Sequence, residues 1–174
     1  AAYLSIEFQP FNRLKTIVGA RLENFVQRHT GRDQEFSGSG GIAGNSLDND
    51  IVLDASDLFP SVNLIYSLTP DQNLRLAYAK TIARPSFKEL SYAQIIDPIT
   101  NRIFNGSLHK YPDWDGNLVE TRIDNLDVRW EWFLERGQMI SLSGFFKKFD
   151  NPIELVRIPT QQTSTEYQAR NVGD

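Results

Sequence analysis

The sequence predicts an all-β fold, an antiparallel meander of six to seven strands with short turns on one side and long loops on the other. Three observations predict it. Apolar and polar residues alternate with period two through most of the chain. The connections between these stretches are alternately short and long. Aromatic residues collect beside the short connections, as they do at a membrane interface.

Each stretch follows that pattern in turn. Tyr3, Ser5 and Glu7 alternate with Leu4, Ile6 and Phe8, and "FNRL" closes a tight turn. From Thr16 to Val26 one face carries Val18, Ala20, Leu22 and Val26, and the other carries Gly19, Arg21 and Glu23. "SVNLIYSL" places Val62, Leu64, Tyr66 and Leu68 together, and "TPDQN" has the Pro, Asp and Asn content of a turn. "LRLAYAK" sets Leu74, Leu76 and Tyr78 against Arg75, Ala77 and Ala79. "IDNLDVRWEWF" sets Leu126, Val128, Trp130 and Trp132 against Asp127, Arg129 and Glu131. After the turn "LERGQ", Ile140, Leu142 and Phe146 oppose Ser141, Ser143, Phe145 and Lys147. A seventh strand is expected near Tyr167.

Short turns fall near 9–13, 69–73 and 134–138, and long segments near 28–60, 83–121 and 150–166. Successive connections of a meander lie at opposite ends, so all the long segments share one side. Loops of this length are uncommon in compact domains, but they are normal on the outer side of an outer-membrane barrel. Trp130, Trp132 and Phe133 flank one short turn and Phe8 and Phe11 another, the placement of an interfacial aromatic belt. A soluble β-sandwich can show the same alternation. A soluble all-β ligand- or carbohydrate-binding module therefore stands as the alternative at this point.

Composition removes other classes. Of 174 residues, 40% are hydrophobic and 23% charged, ordinary globular usage. The net charge of −4 argues against a nucleic-acid partner. The absence of cysteine removes disulfides, thiolate zinc sites and cysteine nucleophiles. No apolar run approaches the length of a transmembrane helix. Both ends of the sequence fall inside strand-like patterns, so a segment of a longer chain is expected.

Few residues suggest chemistry. "GSGGIA", Gly38 to Ala43, loosely matches a dinucleotide fingerprint but lacks the flanking strand and helix, and reads as a loop. Asp48, Asp50, Asp54, Asp57, Asp113 and Asp115 match no calcium loop and read as solvated charge. His29 and His109 have no recognisable second ligand, so no metal site and no cofactor are expected. No nucleophile, base or carboxylate pair can be placed, so the chain is not expected to be an enzyme. The segment 83–121 holds Tyr92, Phe104, Tyr111 and Trp114 together with Arg102, His109 and Lys110. Arg102, His109, Tyr111 and Trp114 are candidates to grip a sugar or a chelate, against the plainer reading that they pack the loop on itself.

At "PSVNLIYSLTPDQNLRLAYAKTIARPSFKEL" the sequence resembles the barrel of TonB-dependent outer-membrane receptors, most like those of Bacteroidetes-type bacteria. The resemblance rests on Pro60-Ser61, then a short turn, then a strand running into Arg84, Pro85, Phe87, Glu89 and Leu90. Gly116, Asn117, Leu118 and Thr121 match the segment that follows in that family, without its proline. "TRIDNLDVRWEWF" and "ISLSGFFKKFDNPIE" look like the next strand pair, and the likeness runs from about Tyr3 to Asp174.

The resemblance implies a segment of a barrel of about 22 strands, closed by a plug in its lumen. Residues 1–174 would all belong to the barrel, with the plug absent from this chain. It further implies a bacterial outer-membrane location and import of a scarce ligand: an iron chelate, glycan, vitamin or peptide. The implied partners are outer-membrane lipid, an extracellular small ligand, and TonB through the missing plug region. The segment alone is expected to self-associate through its raw edges. Arg84-Pro85 would end a strand at the outer surface, because proline cannot donate to the ladder. Ser86 and Glu89 have the spacing of a capping box for one helical turn.

Overall fold

The computed structural model describes residues 1–159 and 164–173 of the protein. It contains β1 (Ala2–Phe11), β2 (Leu14–Arg32), the single-turn helix α1 (Gln34–Gly38), β3 (Ser46–Thr69), β4 (Gln72–Ala83), β5 (Gln94–Asp97), β6 (Arg102–Asn105), β7 (Thr121–Phe133), β8 (Met139–Asp150), β9 (Ile153–Ile158) and β10 (Thr165–Asn171). Six strands form one sheet in the order β1-β2-β3-β4-β7-β8, and four form another in the order β5-β6-β10-β9. The chain divides into two compact units, one of residues 1–24, 55–82 and 122–149, the other of residues 25–54, 83–121 and 150–174.

The first unit is a single layer of antiparallel strands. Side chains on directly paired residues share a face. Leu4 pairs with Ala20 and Ile6 with Val18, while Tyr3 pairs with Arg21. Leu64 pairs with Leu76 and Tyr66 with Leu74, while Ile65 pairs with Arg75. The expected division of aliphatic and charged faces is therefore present in β1 to β4. On the charged face, Arg75 Nε donates to Glu131 Oε2 at 2.7 Å, and Arg129 Nε lies 3.1 Å from Glu131 Oε1. This places Glu131 between two guanidiniums and fixes the face of β7. Gly19 lies on that face, where a Cβ would come within 2.9 Å of both Ser61 Oγ and the Tyr3 hydroxyl.

The aliphatic face is covered by nothing among the described residues. Leu74, Leu76 and Val128 remain 37–42% exposed although strands flank them on both sides. A soluble sandwich buries its aliphatic face; this sheet leaves it open. Trp130 and Trp132 stand side by side with centroids 6.2 Å apart near the end of β7, and Trp130 Nε1 donates to Gln72 Oε1.

The second unit carries a small apolar core. Leu53, Leu90 and Leu118 form it, packed by Phe25, Val52, Leu108, Trp114 and Ile153. Leu90 and Leu118 are each only 1% exposed.

Three expectations about the long segments need correction. The segment 28–60 is mostly strand, because β2 continues to Arg32 and β3 starts at Ser46. At 19 and 24 residues, β2 and β3 exceed the roughly 9–11 residues that cross a bilayer. Their polar outer parts do not alternate cleanly, which hides them from a periodicity reading. The segment 83–121 contains β5 and β6, and 150–166 contains β9; residues 160–163 of the latter lie outside the described residues. The strand near Tyr167 exists as β10, but it leaves the meander: it pairs parallel with β6 and antiparallel with β9. The meander itself holds six strands, as expected, and the four strands of the second sheet bring the total to ten among the described residues.

Candidate functional site

The second unit holds the four ligand candidates and the residues from Arg84 to Leu118 that the sequence singled out, and their positions follow from local chemistry. β4 ends at Ala83, just before Arg84-Pro85. The Arg84 guanidinium lies over the Phe25 ring at 4.5 Å and its Nε is 3.8 Å from Glu120 Oε2. Pro85 is buried. Ser86 and Glu89 form the expected capping box: the Ser86 N–H donates to Glu89 Oε2 at 2.7 Å and the Glu89 N–H to Ser86 Oγ at 3.3 Å. The turn they fix drops Leu90 into the core, while Phe87 points out, 76% exposed. At the far side of the same segment, Gly116 adopts φ +92°, a conformation that favours glycine, and the Asn117 N–H donates to Asp115 Oδ1. Leu118 then joins Leu53 and Leu90. The family-like residues are therefore the frame of this unit: a strand stop, a capped turn and two core leucines.

A polar network runs beneath that frame. In β10 three of the four buried residues are polar, Glu166, Gln168 and Arg170, with Ala169 buried between the last two. Tyr111 donates its hydroxyl proton to Glu166 Oε2 at 2.9 Å and accepts from Asn105 Nδ2 at 2.8 Å. Burial, then the bond to the Glu166 carboxylate, pushes the Tyr111 phenol up to about 12. Gln168 Nε2 donates to the backbone oxygens of Gly106 and His109, at 3.1 and 2.6 Å. Arg170 binds Asp113 through both terminal nitrogens, at 2.7 and 3.3 Å, and lies 5.5 and 5.4 Å from the Tyr111 and Trp114 ring centroids. Its bond to Asp113 holds that carboxyl below the usual range.

Three of the four ligand candidates meet here. Tyr111 and Trp114 bridge each other across a tight turn, with Tyr111 N donating to Trp114 O and Trp114 N to Tyr111 O. Trp114 Nε1 donates to Ser107 O at 2.8 Å. His109 Nε2 donates to Tyr92 O at 2.9 Å, and the two rings meet edge to face. Arg102 stands apart at the start of β6, paired in register with Asp97 and Thr165. The polar atoms of Tyr111 and Trp114 are thus engaged within the unit.

Beside His109 lies an open depression of about 340 Å³, walled by Asp33, Gln34, Glu35, Asn45, Gln94, Leu108, His109 and Lys110. Asp33 caps α1: its Oδ1 accepts from the Phe36 N–H, and its Oδ2 accepts from both nitrogens of Asn45. Burial acts to raise the Asp33 pKa, but these bonds outweigh it and hold the group ionised below its usual range. Gln34 donates to Gln94, Gln94 to Asn105 at 2.8 Å, and Asn105 to Tyr111, an unbroken chain from the depression to Glu166. The sequence pointed to His109 and to a strand near Tyr167, but not to Asp33, Gln34 or Gln94, nor to the pairing of β10 with β6 and β9. These residues come from distant segments, and only the polar alternation of Glu166, Gln168 and Arg170 left a readable trace. Among the described residues, no three His, Cys, Asp or Glu side chains gather as a metal site.

The family model described as "TonB dependent receptor-like, beta-barrel" matches residues 1–174. Among solved structures, "Copper transporter OprC" superposes with a TM-score of 0.66 at 17% identity, over 98% of this chain and 24% of that one. A double mutant of the Serratia marcescens hemophore receptor HasR, in complex with its hemophore HasA and heme, superposes with a TM-score of 0.64 at 12% identity, over 97% of this chain and 28% of that one. This chain spans about a quarter of the length of those proteins. No curated protein sequence matches it. With the whole length matched and the aliphatic sheet face left open, the soluble-module reading falls away, and the chain belongs to the TonB-dependent receptor β-barrel family of the bacterial outer membrane, a family of transporters rather than enzymes.

Proposed function

We propose that this chain is the part of an outer-membrane receptor, of Bacteroidetes type, that helps bind a scarce extracellular ligand for active import. Import would draw energy from TonB through a plug lying outside residues 1–174. The observation that carries the ligand-binding role is the depression of about 340 Å³ beside His109, in a unit already folded around its own core. Its walls offer carboxylates, amides, one imidazole and the exposed Lys110 ammonium, with Leu108 as the one aliphatic member. This mixture suits a polar, hydrogen-bonding ligand. Iron chelates, glycans, vitamins and peptides all present such groups. The copper and heme named for the two structural neighbours belong to those proteins; here the support is for an organic polar ligand or a chelate. His109 is the sequence candidate at this depression, Tyr111 and Trp114 lie beyond Lys110 outside its walls, and Arg102 is a separate point of contact.

Binding of a panel of such ligands to the full-length receptor tests the reading. A ligand whose affinity falls about tenfold or more in Lys110→Ala and in Gln34→Ala, with the barrel still folded, supports it. A ligand that is bound and imported equally well by both variants places the site elsewhere in the receptor.

A further inference from the structure

The charged face of the first unit holds a depression of its own, apart from the one beside His109. In a barrel of this family the aliphatic face meets lipid, so the charged face looks into the lumen. The depression has a volume of about 300 Å³, at the small end of the roughly 300–1,000 Å³ of ligand sites. Its floor is apolar, formed by Ile17, Ile65 and Ala77. Ile65 pairs in register with Arg75 and Ala77 with Asn63, so aliphatic surface lies directly beside a guanidinium and an amide.

The rim is charged, and its charges are unevenly matched. Arg75 and Arg129 both line the depression, and both turn Nε to the buried Glu131, at 2.7 and 3.1 Å. One carboxylate thus holds two guanidiniums in place. Their side chains stay 45% and 46% exposed, and their terminal nitrogens have no hydrogen-bond partner among the described residues. Asp127 lines the same depression, two positions before Arg129 and therefore on the same face of β7. It has no hydrogen bond or ion pair among the described residues. Glu7, opposite Ile17, pairs with Lys15 at 2.8 Å, so neither adds an open charge. Arg75 and Arg129 balance Glu131 and Asp127, yet guanidinium donors and one carboxylate are left open.

We propose that this depression binds a small zwitterion, an α-amino acid with an aliphatic side chain. Its carboxylate accepts from the terminal nitrogens of Arg75 and Arg129, whose planar donors suit a carboxylate. Its ammonium pairs with Asp127. Its side chain lies on Ile17, Ile65 and Ala77, which removes apolar surface from water. A simple anion meets the guanidiniums but is repelled by Asp127, and a simple cation meets Asp127 but is repelled by the guanidiniums. Only a ligand that carries both charges satisfies the whole rim, and the small volume excludes a long peptide. The proposal rests on the first unit alone and not on the ligand taken by the depression beside His109.

The test uses the full-length receptor in detergent and saturation-transfer NMR with three probes: leucine, 4-methylpentanoate, which lacks the ammonium, and 3-methylbutylamine, which lacks the carboxylate. The expected result is that the unmodified receptor binds leucine about tenfold or more tighter than either of the others. Asp127→Asn should remove the preference for leucine over 4-methylpentanoate. Arg75→Gln with Arg129→Gln should remove the preference over 3-methylbutylamine. Lys147→Gln, on the charged face of β8 but not lining the depression, should keep both. Leucine bound no tighter than the other two by the unmodified receptor overturns the proposal, whether or not the variants fold. So does the absence of binding by all three probes, which would show the site filled by another part of the receptor. Preferences undiminished in the Asp127 and arginine variants overturn it too, because the leucine then sits elsewhere.

Discussion

Single residues decide whether the second unit holds its shape. Leu90 and Leu118 are its most buried apolar side chains, so Leu90→Ala or Leu118→Ala should destabilise it by about 2–5 kcal/mol. Phe87→Ala, three residues from Leu90 but pointing out, should cost less than about 0.5 kcal/mol. Urea unfolding followed by hydrogen exchange across 86–118 measures the difference. Gly106 has no room for a side chain: a Cβ would sit 2.1 Å from Ser91 O, and that oxygen belongs to backbone. Gly106→Ala should therefore cost about 1–3 kcal/mol by overpacking. Tyr111 supplies a pH test. Its folded pKa of about 12 stands above its ordinary value near 10, so the neutral phenol is the form the fold prefers. That stabilisation is complete below about pH 10 and is lost as pH rises toward 12. Tyr111→Phe should flatten this alkaline limb in a thermal-unfolding series; an unchanged limb would show that another group causes it. Arg84, Pro85, Glu89 and Leu90 could be picked out in the sequence because their roles are local. The partners of Arg170 could not, because Asp113, Tyr111 and Trp114 reach it from more than fifty residues away.

At the scale of elements, period two was enough to set the faces of β1 to β4 and β7, since one slip in register would expose every aliphatic residue to the wrong side. Lysine at Leu76 or Val128 should accordingly cost about 2–4 kcal/mol in a bilayer, and lysine at Ala77 much less. Reversible unfolding of the parent barrel in lipid vesicles checks this, and equal costs would contradict the face assignment. The same periodicity failed at the outer parts of β2 and β3, where polar residues fall on both faces, and at the short strands β5, β6 and β9; it found β10 but not its partners. There the pairing is held by a buried polar network, not an aliphatic face, and β6 meets β10 only after some sixty residues of intervening chain. Ser86→Ala removes one half of the capping box and should cost about 0.5–2 kcal/mol, seen as faster exchange of the Glu89 amide.

At the scale of the whole segment, the family match over residues 1–174 and the open aliphatic face of the first unit agree: that unit is a single layer of six antiparallel strands, a piece of barrel wall. Taken out of its barrel, the layer would keep two unpaired edges, β1 and β8, and an apolar surface on which Leu142 is 72% exposed. We expect it to associate in detergent-free buffer for that reason; a monodisperse monomer in sedimentation at high concentration would contradict this. The most direct test of the central claim is a nitroxide scan from Leu74 to Lys80 in the full-length receptor in vesicles, made simple by the absence of cysteine from these 174 residues. The account predicts high oxygen accessibility at 74, 76 and 78 and low values at 75, 77 and 79, with position 80 more open to a water-soluble relaxation agent. Accessibility that does not alternate, or that peaks at 75 and 77, would contradict it.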